Sequence, residues 1–572
     1  MRNDSEILPV INVKSYPLSL PLTREGKVGG YIYIMVVAAF FVVVGCDHPA
    51  RVDIGALVEE LRALDADGSV DVDEIADEIL VDEDLSAEDS EVEDTDSTDV
   101  SDSADAEILP DTDAVEQEPD VDAVEAEVED DVPDLSEVEG VPDVDTNECV
   151  TGDWKTETGV VSECVGGHWT VRRVTKQWGR TTGLYYGTAV VLDSNGNIFV
   201  AGTASGTIDS STTTGPIFLT KWNADLVEEW TKQWGSGVEA WSHGAAVDSS
   251  GNIYVTGTAR GNFDGNTQIG GDDIFITRWN ANGTKAWSKL LGTTSTSAMY
   301  EEGYPIVINT SDEIFTSGDV GASIDGGTYI GNYDVFLAKH LNSSSEQWVK
   351  QYGTADSEIT NAMALDTSGN LYLVGSTNGS FSGYTNAGYD DLFLIKTDSA
   401  GTEVWHRQWG TNNVDSAWGV AVDDNGNIYV TGTTAGGLDG NSSAGNSDIF
   451  LTRWNADGTR EWTKQWGTDQ SDIGSAVTVD KDGFIFVTGA ANGPLDGNAE
   501  IGLGDVFLTK WASDGTKLWT QQWGSSEGED WGRAIAIDDN GKIFITGSAG
   551  GAIDENPDPG STDIFLSVFS AE

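Results

Sequence analysis

The sequence predicts an all-β fold, a seven-bladed β-propeller of four-stranded antiparallel blades, and three observations carry that expectation. The first is a period. A phrase of the type Gln-Trp-Gly, or a near copy, ends at Gly179, Gly235, Gly292, Gly353, Gly410, Gly467 and Gly524, at spacings of 56, 57, 61, 57, 57 and 57 residues. Repeats near this length mark propellers and solenoids. The second is the content of each unit: four short β-rich stretches, parted by turn residues and without helical spacing. The third is an imbalance at the two ends. The last unit stops after its third strand, "TDIFLSVFSAE" (Thr562–Glu572), whereas a bare "VTKQWG" (Val174–Gly179) stands ahead of the first unit. Joining them completes the last blade with the N-terminal strand and removes an open sheet edge. Trp178 is then expected to take, in the last blade, the place that Trp466 holds in its own.

The strands follow in order within the fifth unit. "GVAVDDNG" (Gly419–Gly426) and "NIYVTGTT" (Asn427–Thr434) form the first two around an Asp-Asn-Gly turn. "DIFLTRWNADG" (Asp448–Gly458) and "TREWTKQWG" (Thr459–Gly467) form the third and fourth. Trp462 and Trp466, four apart in a strand, share a face. Fifteen of the twenty tryptophans fall in three such columns. Each ring can bury about 150–250 Å², so the columns read as contact between stacked blades. Second strands carry a glycine in every unit (Gly202, Gly257, Gly318, Gly375, Gly432, Gly489 and Gly547), a sign of a bulge or a close backbone approach.

"SAWGVAVDDNGNIYVTGTTAGGLDGNSSAGNSDIFLTRWNADGTREWTKQWG" resembles the SBBP repeats, the seven-bladed β-propeller repeats of bacterial exported proteins. The resemblance runs from Val174 to the C-terminus in seven copies. It implies a fold and an exported setting, and no single activity.

Residues 1–46 are expected to be a lipoprotein signal peptide. Tyr31–Val44 is an apolar run of fourteen residues, with Arg24 and Lys27 as its basic flank. It is short for a membrane span and suits a signal-peptide core. "VVGC" resembles the lipobox of bacterial lipoproteins, which implies a lipid on Cys46 and a membrane-anchored place in the cell envelope or on the cell surface. The thirty residues before the apolar run exceed an ordinary n-region, and a start near Leu22 would account for them. Residues 47–147 read as an acidic, disordered linker. From Ala63 to Trp154 there is no Lys or Arg, and about two residues in five are Asp or Glu. Such a stretch repels itself and cannot bury enough apolar surface to offset the entropy of ordering. Residues 148–170 form a small segment in which Cys149 and Cys164 are expected to pair as a disulfide in an oxidising compartment. The propeller then occupies 171–572.

Chemistry is sparse. The chain has a net charge of −68, which argues against nucleic acid as a partner. The five histidines (His48, His168, His243, His340 and His406) share no motif, and no nucleophile elbow, phosphate loop or zinc signature occurs. The expectation is therefore not an enzyme but a monomeric binding module for a glycan or a protein, with no cofactor required. The alternatives are a structural envelope protein without a ligand and a propeller enzyme of quinoprotein-like or hydrolase type. Two acidic columns are oxygen-rich. Asp209, Asp264, Asp325, Asp439, Asp496 and Asp554 lie in the loop between second and third strands, where Ca²⁺ or a turn hydrogen bond would explain them. Asp273, Asp334, Asp391, Asp448, Asp505 and Asp563 open the third strands. In a four-strand meander, that loop and the blade-to-blade connection leave on one face. Tyr186, Trp241, Tyr304, Trp418 and Trp531 lie toward this loop face as candidate ligand-binding rings. Replacing the lipobox cysteine, Cys46→Ala, should leave a precursor that takes up no labelled fatty acid; continued labelling would remove the lipoprotein assignment.

Overall fold

A four-stranded sheet that is apolar on both faces cannot stand alone in water, and stacking is the remedy of repeat proteins. In the computed structural model, which describes residues 154–570 apart from 166–167, 181–182, 209–213, 295–300, 325–326, 558–559 and 561, the units do this in a circle. Blade five shows the pattern: Asp415–Val422, Ile428–Thr434, Asp448–Trp454 and Arg460–Trp466 run antiparallel in sequence order, and five other blades repeat it. Second and third strands are buried almost throughout, whereas the fourth begins exposed. The core therefore lies between blades, and each apolar cluster draws on two neighbours, such as Leu451 with Phe507 or Leu219 with Phe275.

Blade seven has only three strands of its own, Trp531–Ile537, Ile543–Ala549 and Asp563–Phe569. Its fourth is the N-terminal strand His168–Trp178, which pairs antiparallel with the third from Arg173↔Phe569 to Trp178↔Ile564. Trp178 thus stands opposite Ile564 as Trp466 stands opposite Ile449. The closing strand extends further than the orphan phrase, and the segment set apart at 148–170 does not stand alone from Trp154 onward. Val160–Val165 and Trp154–Glu157 add as fifth and sixth strands, because the outer edge of the closing strand is free to pair. Cys149 and the side chain of Cys164 lie outside the described residues. So do Cys46, its apolar run and the acidic linker. Among the described residues no helix is long and apolar enough to cross a membrane.

The tryptophan columns bridge blades. The last indole of one blade meets the ring ending the next blade's third strand: Trp234 with Trp279 at 5.1 Å, Trp409 with Trp454 at 4.8 Å, Trp466 with Trp511 at 4.8 Å, and Trp523 with Phe569 at 5.1 Å. Trp178 completes the circle against Trp222 at 5.2 Å. The strand-two glycines follow from a bulge in every first strand. In blade five the bulge lies between Ala417 and Gly419, and it presses the Ser416 carbonyl onto Gly432, where any Cβ would overlap that oxygen. The Phe450 ring covers the other side of Gly432. All seven blades share this arrangement.

Closure has its own ion pair. The Arg173 guanidinium donates to both carboxylate oxygens of Asp554, at 2.6 and 3.0 Å, and lies 4.8 Å from the Trp523 ring. Thr175 donates to the same carboxylate at 2.6 Å. Both charged side chains are about nine-tenths buried, so removing either would strand its partner at a cost of about 3–5 kcal/mol. Deleting residues up to Gly179 removes this pair, one indole and a whole strand. That truncation should aggregate or melt far below the parent in a thermal scan, while deletion up to Glu148 should melt with it; equal melting temperatures would contradict this mode of closure.

Candidate functional site

The bulge that demands a glycine behind it also pushes one residue of each first strand out of register. These seven are Thr188, His243, Tyr304, Asn361, Trp418, Ser475 and Arg533. First strands surround the propeller axis, so the bulged residues and their neighbours form a ring at the loop-face end. They meet from blade to blade. Thr188 Oγ donates to Ser242 Oγ at 3.3 Å, the His243 and Tyr304 rings are 4.6 Å apart, Asn361 donates to the Ala417 carbonyl at 2.8 Å, and the Trp531 indole donates to Ser475 Oγ at 2.7 Å. Otherwise regular strands carry a different residue here in all seven blades.

Arg533 is the centre of this ring chemically. Its guanidinium lies 4.2 Å from the Trp531 ring and 5.3 Å from the Tyr186 ring, a cation–π clamp on two sides. Its buried Nε has no hydrogen-bond partner. The group borders a cavity of about 370 Å³ lined by Tyr186, Glu529, Trp531, Ser548 and Thr562, among others. Burial holds the His243 imidazole down to about 4, with the Arg533 charge as a second cause. Tyr304 donates to Glu302, and burial followed by that carboxylate's charge raises its phenol. Beside Glu302 in the ladder stands Asp319, whose carboxyl is raised well above the usual range by burial and then by Glu302.

The predicted rings reach this mouth by two routes. Tyr186, Trp241 and Trp531 precede the bulge by two residues, whereas Tyr304 and Trp418 occupy it. Trp241 is 40% and Trp418 42% exposed, and the other three are half-buried. The loop face is confirmed directly, since the residue before a third strand pairs with the residue before the next blade's first strand, as in Asp390↔Val414 and Ser447↔Ser471. Arg533 and His243 escape sequence reasoning because their column holds a different residue in every blade, and Asp319 because it is a single departure in a second-strand column of Thr, Ser and Ala.

Of the candidate Ca²⁺ column, Asp209 and Asp325 lie outside the described residues. Asp264, Asp439, Asp496 and Asp554 take left-handed backbone, with φ between 51° and 54°. Each carboxylate reaches back to the fourth strand of its blade. Asp439 takes Arg460 and Thr463, both at 2.6 Å, Asp496 takes Lys517 and Thr520, and Asp264 takes Lys285 and Ser288. Among the described residues no group of three or more His, Cys, Asp or Glu is placed to hold a metal ion.

A ring of seven four-stranded repeats, the last closed by the N-terminal strand, defines a β-propeller, a fold that suggests a binding or interaction module. The chain carries SBBP repeats: the model of that family, described as a beta-propeller repeat, matches residues 229–264, 347–382, 404–439, 461–496 and 518–553. Each match starts in the fourth strand of one blade and ends in the loop of the next, so it straddles a blade junction. The regulatory protein FlaEY of Caulobacter vibrioides is 28% identical over 201 residues, 32% of this chain and 21% of that protein. An uncharacterized WD repeat-containing protein, L264, of Acanthamoeba polyphaga mimivirus is 22% identical over 252 residues, 38% of this chain and 18% of that protein. The chain thus spans about a fifth of the length of these curated relatives. Among solved structures, virginiamycin B lyase from Staphylococcus aureus has a TM-score of 0.39 at 10% identity, over 69% of this chain and 99% of that one. The gluconolactonase XC5397 from Xanthomonas campestris has 0.31 at 11% identity, over 59% and 91%. Their activities belong to those proteins.

The ring chemistry sets a titration. A His whose folded pKa is depressed contributes stability above its unfolded value near 6.5 and loses it as pH falls toward the folded value. His243, held down to about 4, and His340, held down to about 3 by burial and then the Lys289 charge, both work in that window. In an NMR titration their ring protons should keep neutral-imidazole shifts from pH 8 down to pH 5; a midpoint near 6.5 for His243 would place its ring in open solvent.

Proposed function

We propose that the protein is an exported, lipid-anchored binding module whose loop face recognises an anionic glycan, with uronate or sulfate groups, at the axial mouth. The observation that carries the reading is Arg533. It is a guanidinium clamped between two aromatic rings at the edge of a cavity, with an unpartnered buried Nε. A guanidinium in this setting is suited to a carboxylate or sulfate. The open indoles of Trp241 and Trp418 supply flat apolar faces of the kind on which sugar rings stack, and Asn361, His243 and Ser475 supply hydrogen bonds. The apolar run and lipobox-like "VVGC" support export and anchoring, and the acidic stretch that follows would hold the propeller away from a membrane by roughly 50–60 Å or more.

A protein partner is the second reading. It is favoured by the apolar rim around the same face, where Tyr389 is 72% and Leu503 70% exposed. The two readings separate on a glycan array probed with the full chain, followed by titration. The anionic-glycan reading expects uronate or sulfated oligosaccharides to bind and neutral ones not to. It expects Arg533→Gln to weaken binding roughly 10- to 100-fold, the equivalent of about 1.5–3 kcal/mol for a charge-assisted bond. Trp241→Ala with Trp418→Ala should weaken it further at an unchanged melting temperature. An array without acidic hits, together with a photo-crosslinker at Leu503 that captures one defined envelope protein, would overturn the glycan reading in favour of the protein one.

A further inference from the structure

In each of the first six blades a Lys or Arg stands one residue before the end of the third strand: Lys221, Arg278, Lys339, Lys396, Arg453 and Lys510. Lys221 and Lys339 form ion pairs with Glu229 and Glu313 of their own blades, both at 2.8 Å. Lys396 and Arg453 donate across the junction, to the Ala456 carbonyl at 3.2 Å and the Ser513 carbonyl at 3.0 Å. Both acceptors sit in the turn between the third and fourth strands of the following blade. Lys510 is followed by blade seven, whose fourth strand is borrowed from the N-terminal side, so no such turn joins it to the third. Lys510 is only 9% exposed, and its ammonium makes no hydrogen bond or ion pair among the described residues. It lies over the Phe484 and Phe486 rings, at 4.4 and 5.3 Å.

Where that turn is missing, a cavity of about 150 Å³ opens between blades six and seven on the tight-turn face. Lys510, Trp519, Gln521, Asp480, Asp538 and Phe569 line it, among others. At other junctions the turn lies on the corresponding indole, with Gly283 beside Trp230, Gly401 beside Trp348 and Gly515 beside Trp462. At Trp519 the cavity takes the place of the turn.

Two carboxylates in the wall have capacity to spare. In blades one, two, four and five the turn Asp (Asp193, Asp248, Asp366 and Asp423) accepts through Oδ2 from the side chain of an Asn four residues on, at 2.6–2.8 Å. In blades six and seven Phe484 and Lys542 replace that Asn. Asp480 and Asp538 still accept two amides each through Oδ1, while their Oδ2 atoms accept nothing among the described residues. Arg172, Lys481 and Asp482 also line the cavity, the last two of them exposed. One cavity thus gathers a buried cation without an acceptor and two carboxylate oxygens without a donor. A phosphate or sulfate would suit Lys510 but face both carboxylates, and a simple cation would leave the Lys510 charge unmatched. A molecule carrying both charges satisfies the whole set.

We propose that this cavity is a second ligand site, which takes a free α-amino acid with an apolar side chain. Its carboxylate sits on the Lys510 ammonium, its ammonium on Asp480 and Asp538, and its side chain against Trp519 and Phe569. Cavities of roughly 150 Å³ take up benzene, so an apolar side chain of that order fits. The site is on the face opposite the Arg533 mouth and does not rest on glycan binding.

The test titrates the full chain at pH 7.5 with L-leucine and L-phenylalanine by isothermal calorimetry. Each is set beside its N-acetyl derivative, which lacks the cation, and its amide, which lacks the carboxylate. At least one of the two amino acids should bind at one site per chain. Both of its derivatives should bind roughly 10- to 100-fold more weakly, the loss expected for a charge-assisted contact. Lys510→Met, which keeps an apolar stem on the Phe rings, should weaken binding to the same degree. So should Asp480→Asn with Asp538→Asn, which leaves the Oδ1 acceptors of the turns in place. Absence of saturable binding by the full chain would overturn the proposal, and so would a derivative that binds as tightly as its parent amino acid. Wild-type affinity in Lys510→Met would do the same. Displacement of the amino acid by a sulfated oligosaccharide would place it at the mouth and overturn the proposal as well.

Discussion

A propeller ring is only as sound as its weakest junction, and in this chain the junction is an indole laid against the next blade. Five blades end their fourth strand with a ring that packs on the ring closing the neighbour's third strand, at 4.8–5.2 Å. Where the pattern lapses, other buried groups fill in. Leu291 follows blade two, and Tyr352, which donates to the Gly401 carbonyl at 2.6 Å, follows blade three. The strand that closes the ring must meet the same standard with residues almost four hundred positions away. It does so with Trp178 against Trp222 and with Arg173 seated between Asp554 and the Trp523 ring.

That closure also explains an asymmetry of charge. In blades two, five and six the loop Asp is paired with a Lys or Arg at the start of its own fourth strand. Blade seven has no fourth strand of its own, so the cation comes from the N-terminal side as Arg173. The closing strand lacks the bulge that other fourth strands carry near their start, which brings Arg173 opposite Phe569 as Arg460 lies opposite Trp454. An element borrowed from the far end of the chain thereby reproduces the local chemistry of a complete repeat.

The two faces of the disc are built differently. On one, Asp423 accepts from the amides of Asn425 and Asn427 and from the Asn427 side chain, and Asp193, Asp248 and Asp366 do the same, so these turns are saturated by their own hydrogen bonds. The other face carries longer loops, the open indoles, the Arg533 clamp and the apolar rim. Apolar residues stand out furthest on this second face, where Tyr389 is 72% and Leu503 70% exposed.

Sequence alone determined the blade count, the strand order, the closing strand and the role of the tryptophans. These rest on periodicity and side-chain size, which repeat in the chain as regularly as in space. It also marked the strand-two glycines, though not that a neighbouring carbonyl sits where their Cβ would be. The mouth of the loop face was legible only as five aromatic rings. Tertiary structure decided that Arg533 and His243 join them, because a bulge shifts one residue per first strand and its identity follows no column rule, and that Asp319 of a second strand pairs beside Glu302. It likewise decided which acids lie at the junctions. The loop Asp residues that looked free turn back onto Lys, Arg and Thr, while Glu301, Glu358, Asp415, Asp472 and Asp530, mixed in type and unremarked in the chain, come to face a second column of acids from the preceding blade. Facing across a junction joins residues of different repeats, and a pattern read within one repeat cannot register it.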